Sequence, residues 1–216
     1  MQPFKARQIR QIIATYVLSD VRELGKVRYP DRFEALVKVL ASQAGNLLQT
    51  SELATTLRMA RETVEEYLFL LEQTYVIRRL KPFHGKLRSE LTKMPKIYFE
   101  DTGVLNLSRF HSFPELEGTC FENAVFCELR KRLDLERLRF WRTTDKREVD
   151  FVIDEGRVAI EAKMSPSAKD ASSLLRFREL YGSERLVLCG MRPPSRLPEG
   201  VEFVPAFRIG DWVKDL

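Results

Sequence analysis

Apolar and polar residues alternate over EVDFVIDEGRVAIEAK, residues 148–163, and the alternation predicts a β-hairpin. VDFVI and VAIEA are short runs of strand-forming residues. Between them Glu155-Gly156 predicts a two-residue turn, with Gly supplying positive φ. If Asp154 and Arg157 flank that loop, Asp150 faces Glu161 and Glu148 faces Lys163. Facing residues share one side of the ladder, with Cβ atoms ~4.5–5.5 Å apart. Val149, Phe151, Ile153, Val158, Ile160, Ala162 and Met164 fall on the other side, which the pattern assigns to the core.

Elsewhere the period is mostly helical. Ile9, Ile12, Ile13, Tyr16, Val17, Val21 and Leu24 form a stripe over residues 4–24, an N-terminal helix that exposes its apolar face or recruits a second copy into a homodimer. Asp31 is expected to cap RFEALVKVLAS, which ends near Gly45-Asn46. Thr50 or Ser51 is expected to cap ELATTLR. After a turn at Met59-Ala60, a third helix spans about 61–73, with Val64, Tyr67, Leu68 and Leu71 inward. YVIRRL and KIYFE read as the strands of a hairpin around a basic loop, and residues 101–117 as a linker with a short helix. From Gly118 to Leu133 a helix carries Phe121, Val125, Cys127, Leu129 and Leu133. LRFWR is a strand, TTDKR a polar turn into the 148–163 hairpin, and a helix follows from about Lys169 to Tyr181. RLVLCG reads as a buried strand and VEFVPAFRI as the last one, with Trp212 and Val213 closing the core.

These elements divide the chain into an N-terminal helical segment (1–30), a winged-helix pattern (31–110) and an α/β pattern (111–216) ordered helix, three strands, helix, strand. The net charge of +5 is uneven. Residues 1–100 hold 17 Lys/Arg against 11 Asp/Glu, and residues 101–216 hold 19 against 20. Basic residues clustered beside a helix-turn-helix point to nucleic acid, DNA above all. Arg58 and Arg61 stand where the second helix of such a motif meets a groove, but Glu62 and Glu65 stand beside them. Arg78, Arg79, Lys81, Lys86, Arg88 and Lys93 on the wing are the better phosphate contacts. The competing role for this region is a rigid protein-interaction module.

The hairpin carries the chemistry. Asp150 facing Glu161 is unfavourable unless a cation or a proton lies between them. A hard divalent ion, held by carboxylates and substrate phosphate oxygens, is the natural remedy. Lys163 could orient or deprotonate a water, or neutralise charge on a phosphate. Arg142 and Lys146, just before the hairpin, could touch substrate phosphate. The plainer reading is a solvated face on which Glu148 and Lys163 form an ordinary surface pair.

Asp150 followed by Glu161-Ala162-Lys163 resembles the signature of the PD-(D/E)-x-K nuclease superfamily, with Val149 where that superfamily often has Pro. Glu122, in GTCFENAVFCELRKRL, matches the helix glutamate that often joins the site. Over nearly the whole chain, SDVRELGK, LLQTSELATTLRMARETVEEYLFLLEQTYVIRRLKPF, PKIYFEDTGVLN, GTCFENAVFCEL and REVDFVI…IEAK resemble, in order, the C-terminal half of a family of prokaryotic AAA-type ATPases. Members carry a P-loop ATPase, a winged helix and a nuclease-like domain. The resemblance implies an α/β fold (α+β overall): a helical winged-helix domain, then a restriction-endonuclease-like domain with a mixed central sheet. It implies Mg²⁺ or Mn²⁺ at Glu122, Asp150 and Glu161, with Asp150, Glu161 and Lys163 catalytic. The chain has no G-x-x-x-x-G-K-[S/T], so no ATP site is expected in it. The alternatives are a non-catalytic DNA- or protein-binding module, the effector half of an ATPase, and a winged-helix regulator.

Composition narrows the setting. No run approaches the ~18–20 apolar residues of a membrane span, and MQPFKARQIRQ has no signal-peptide core. Three cysteines with no pairing pattern fit the cytoplasm. With only His84 and His111, a zinc site is not expected, and His111 is read as silent.

Overall fold

The helical period that starts after Tyr29 becomes α1 (Pro30–Ser42). Tyr29, not Asp31, is its N-cap. Pro30 fills the first turn, where a missing N–H costs nothing, and Asp31 follows it beside the positive end of the helix dipole. The structure, a computed structural model, describes residues 27–85, 94–110 and 118–216. The expected N-terminal helix with its dimer contact, Lys86, Arg88, Lys93 and His111 lie outside the described residues. The described residues fall into two compact units. The first holds those up to Arg79 and from Ile97 to Phe110; the second holds residues 80–85, 94–96 and 118–216.

In the first unit α1 ends at Ser42, short of Gly45, with the Gln43 N–H donating to Val39 and Leu40 carbonyls. α2 (Thr50–Leu57) has Gln49 as N-cap. Thr50 does not cap it; its hydroxyl donates to Glu65 Oε1 at 2.7 Å. α2 stops at Arg58, in the left-handed region at φ 52°. α3 (Arg61–Gln73) buries Val64, Tyr67, Leu68 and Leu71, the face that the spacing assigns inward. Phe33 of α1 meets Tyr67 edge-on, with ring centroids 5.2 Å apart. β1 (Ile77–Leu80) and β2 (Lys96–Phe99) pair as a two-stranded sheet, and α4 (Thr102–Phe110) packs on α1.

The second unit is built on a five-stranded mixed sheet. α5 (Gly118–Arg130) precedes β3 (Leu138–Arg142), β4 (Glu148–Ile153) and β5 (Val158–Ala162), which run antiparallel. α6 (Ser172–Tyr181) then crosses to β6 (Arg185–Gly190), and β5, β6 and β7 (Val201–Pro205) run parallel. The sheet order is β3-β4-β5-β6-β7. β4, β5 and β6 are buried almost throughout, as expected of strands covered on both faces. Leu174 and Phe177 of α6 pack with Trp141, Val152, Ala159, Leu186 and Leu188 on one face. On the other, Phe151 meets Phe126 of α5, with centroids 6.4 Å apart. The last strand is shorter than VEFVPAFRI suggests. Pro205 has no N–H to extend the ladder, and the chain turns helical at Ala206 before the short α7 (Ile209–Trp212). Val213 is buried; Trp212 is half-buried beneath the Arg185 guanidinium, 4.2 Å from its ring centroid.

The hairpin has the expected register: Phe151 faces Ile160, Val152 faces Ala159 and Ile153 faces Val158. Its turn is centred on Glu155 (φ 55°) and Gly156 (φ 101°), and the Arg157 N–H returns to the Asp154 carbonyl at 3.2 Å. Strict alternation fails at one place. The β3–β4 register shifts by one residue between Arg139 and Trp141, a β-bulge. Val149 consequently joins Val152 in the α6-facing core, although three residues of regular strand would put them on opposite faces. Among the described residues no helix is long and apolar enough to cross a membrane.

Candidate metal and phosphate site

Beyond the last ladder pair, Phe151 with Ile160, β4 and β5 part and a side chain takes over the pairing. Asp150 Oδ2 accepts the Ala162 N–H at 2.9 Å, while the Lys163 N–H goes to the Cys189 carbonyl of β6, also at 2.9 Å. Asp150 is thereby fixed at the mouth of the parted strands, 2 % exposed.

Four carboxylates and three cations gather there. Oxygens of Glu122 on α5 and of Glu148 and Asp150 on β4 all lie within 4.8 Å of one another. Among them sits a residue that the motif does not contain. The Lys96 ammonium lies 2.5 Å from Glu148 Oε1, 2.9 Å from Glu122 Oε1 and 3.6 Å from Asp150 Oδ1, and Lys96 is fully buried. Burial works against its charge, but Glu122, Asp150 and Glu148 outweigh it and hold its pKa above the ordinary lysine range. The Phe140 ring lies beside it, 5.6 Å from Nζ to the centroid. Arg142 Nη1 donates to the other oxygen of Glu148 at 2.7 Å.

Glu161 and Lys163 form the second half of the cluster. Lys163 Nζ is 2.7 Å from Glu161 Oε1 and 3.6 Å from Asp150 Oδ2. Glu161 Oε2 is buried and has no hydrogen-bond partner among the described residues. Burial first, and the neighbouring Asp150 charge second, raise the Glu161 pKa well above the carboxylate range, against the pull of Lys163. Lys163 is 43 % exposed. Burial disfavours its charge, but Asp150 and Glu161 prevail and its pKa is raised. Held by these two acids, the Lys163 ammonium favours its charged form in this arrangement. Cys189, beneath the site, is pushed up to about 12 by burial and by Asp150.

The structure thus brings Glu122, Asp150, Glu161 and Lys163 together, with Arg142 attached through Glu148. Glu148 does not pair with Lys163, as the hairpin register suggests; Lys96 and Arg142 hold it instead. Lys146 is exposed on the β3–β4 turn, at φ 66°. Lys81, Arg58 and Arg61 are exposed. Arg78 and Arg79 are engaged within the first unit. Arg78 pairs with Glu100 at 2.6 Å, and Arg79 with Glu72 at 2.7 Å and Glu65 at 2.9 Å. Sequence reasoning passed over Lys96 because it counts there as one more charge at the edge of a basic loop. The one local signal is that it opens KIYF, a strand whose other three residues are apolar.

The second unit is therefore a mixed helix-and-sheet domain with an acid–lysine cluster where two strands part. The family model described as "Domain of unknown function (DUF8612)" matches residues 2–112, just over half of the chain, and the chain belongs to that family. A second model, "Domain of unknown function (DUF4143)", matches residues 117–209. The chain is similar to an uncharacterised protein of Mycobacterium tuberculosis, 31% identical over 150 residues, covering 66% of this chain and 34% of that one. An uncharacterised protein of Haemophilus influenzae is 22% identical over 228 residues, covering 98% of this chain and 53% of its own. One from Methanocaldococcus jannaschii is 30% identical over 140 residues, 62% of this chain and 31% of its own. The chain thus spans about a third to a half of the length of these relatives. No solved structure matches it.

Proposed function

We propose that the second unit, a PD-(D/E)-x-K-like domain, binds Mg²⁺ or Mn²⁺ at Asp150 and Glu161 and hydrolyses phosphodiester bonds of nucleic acid. The first unit is then a winged helix that brings the substrate, and the pair is the effector half of a longer ATPase. The observation that carries this reading is the orphaned Glu161 Oε2: a buried carboxylate oxygen with no partner, beside Asp150. Buried polar atoms are nearly always satisfied, and a bound ion is one of the few explanations for an exception. All-oxygen donors suit a hard divalent cation. When bound, such an ion polarises a phosphoryl oxygen and acidifies its water. Lys163, kept protonated and partly open to solvent, offsets the charge that builds on the phosphate and orients the attacking water.

Isothermal titration with Mn²⁺ and a cleavage assay on single- and double-stranded DNA and RNA test this. Asp150→Asn and Glu161→Gln lose Mn²⁺ binding and cleavage together. Lys163→Ala keeps the metal and loses rate by about 10²–10³-fold, the scale for one electrostatic group. Cleavage equal in all three variants and the parent would falsify the reading.

One observation favours a different role for the first unit. Arg78 and Arg79 are spent on Glu100, Glu65 and Glu72. The exposed side of α3 carries Glu62 and Glu66 with Phe69, 55 % exposed. Acids repel phosphate, and the exposed Phe69 beside them is the kind of side chain that protein interfaces favour.

A further inference from the structure

Within the acid cluster the two halves are treated differently. On the Glu161 side a carboxylate oxygen is buried without a partner. On the Glu122 side all three carboxylates converge on one ammonium, with oxygens close enough together to ligate a single ion. We propose that Lys96 is the resident cation of the Glu122–Glu148–Asp150 cradle, standing where a second divalent ion would otherwise bind and confining metal to the Glu161 side of Asp150.

Three features support it. The Lys96 ammonium is fully buried, so its geometry is imposed by the cradle and not by solvent. It lies within hydrogen-bond reach of Glu148 at 2.5 Å and Glu122 at 2.9 Å, and within ion-pair reach of Asp150 at 3.6 Å, so each contact goes to a different carboxylate. Arg142 takes the remaining oxygen of Glu148, so that side of the cluster sets two cations against three acids. Asp150 is the shared wall: Oδ1 faces Lys96, and Oδ2 faces Ala162 and Lys163. Lys96 is thus a positioning residue. It holds Glu122 and Glu148 and faces the Asp150 oxygen that the Ala162 N–H leaves free, and it makes Glu122 a lysine ligand and not a metal ligand.

This inference deepens the proposed metal reading, and two variants separate the two. Lys96→Met leaves the cradle without its cation. In chelator it melts below the parent; Mn²⁺ restores the loss, and calorimetry reads one more equivalent of Mn²⁺ than in the parent, or an affinity at least tenfold tighter. A purely packing role for Lys96 gives no Mn²⁺-specific recovery. Glu122→Gln guards against misfolding of the first variant. Paired to Lys96, Glu122 is dispensable for metal, and Glu122→Gln keeps the parent's Mn²⁺ affinity within threefold. A tenfold loss in Glu122→Gln, or a folded Lys96→Met that binds Mn²⁺ as the parent does and shows no thermal recovery, overturns the inference. A parent that binds no Mn²⁺ while Lys96→Met gains one ion sinks the Asp150–Glu161 reading and leaves Lys96 in its role.

Discussion

A carboxylate nine-tenths buried beside another acid is a liability unless something compensates it, and Glu161 is compensated on one oxygen only. Folding without metal therefore works against its charge. Glu161→Gln keeps the shape, retains an acceptor for Lys163 and removes the like charge facing Asp150. In chelator at neutral pH we expect it to match the parent or to exceed it by about 1 kcal/mol, read as a shift of the urea midpoint at constant slope. A loss above about 1 kcal/mol would mean that the Lys163–Glu161 pair supports the fold more than it strains it. Stability and metal affinity thus move in opposite senses at one residue, the pattern expected where a site is held ready for a ligand.

At the scale of the element, the β4–β5 hairpin fixes where the acids stand, and its turn fixes the hairpin. Asp154 and Glu155 both hold positive φ, which non-glycine residues rarely adopt. The Arg137 guanidinium steadies the first, donating to both Asp154 oxygens at 2.7 Å, and holds the Asp154 pKa below its ordinary value. A lowered carboxyl pKa adds stability above the ordinary carboxylate range, and that stability fades as pH falls through the lowered value. Asp154→Asn, whose side chain also tolerates the left-handed conformation, should cost at most about 1 kcal/mol at pH 7, since Arg137 is 41 % exposed. The cost should shrink as pH falls below the ordinary carboxylate range and through the lowered value; a difference that grows on acidification would contradict it. This hairpin was legible because period-two alternation and one Gly determine register. The bulge at Arg139–Trp141 was not, since it arises where β4 must meet both β3 and the parting β5. Nor was Lys96. It lies 26 residues from Glu122 and farther from Asp150, and only the tertiary fold brings them together. Glu122 was visible through family resemblance alone, its helix pattern giving no reason to bury it.

At the scale of the whole molecule, the net charge of +5 invites a nucleic-acid reading that the placement of the charges restricts. A guanidinium already in a two-carboxylate embrace releases few counterions when phosphate arrives. Arg79 is such a case, with Glu72 and Glu65 at 2.7 and 2.9 Å. Arg79→Ala should therefore leave nucleic-acid affinity within about twofold and lower stability instead, because two acids of α3 lose their partner. Arg58, where α2 ends, and Arg61, at the start of α3, are exposed and hold positions from which they could meet phosphate. If they touch phosphate, Arg58→Ala with Arg61→Ala lowers the slope of log affinity against log salt by about two, roughly one per contact. Fluorescence anisotropy of a labelled duplex from about 50 to 200 mM salt, the range over which counterion release separates contact counts, reads both variants. An unchanged slope in the double variant, beside an unchanged Arg79→Ala, would take Arg58 and Arg61 out of nucleic-acid contact and favour the Glu62–Glu66–Phe69 face of α3 as a protein-docking surface.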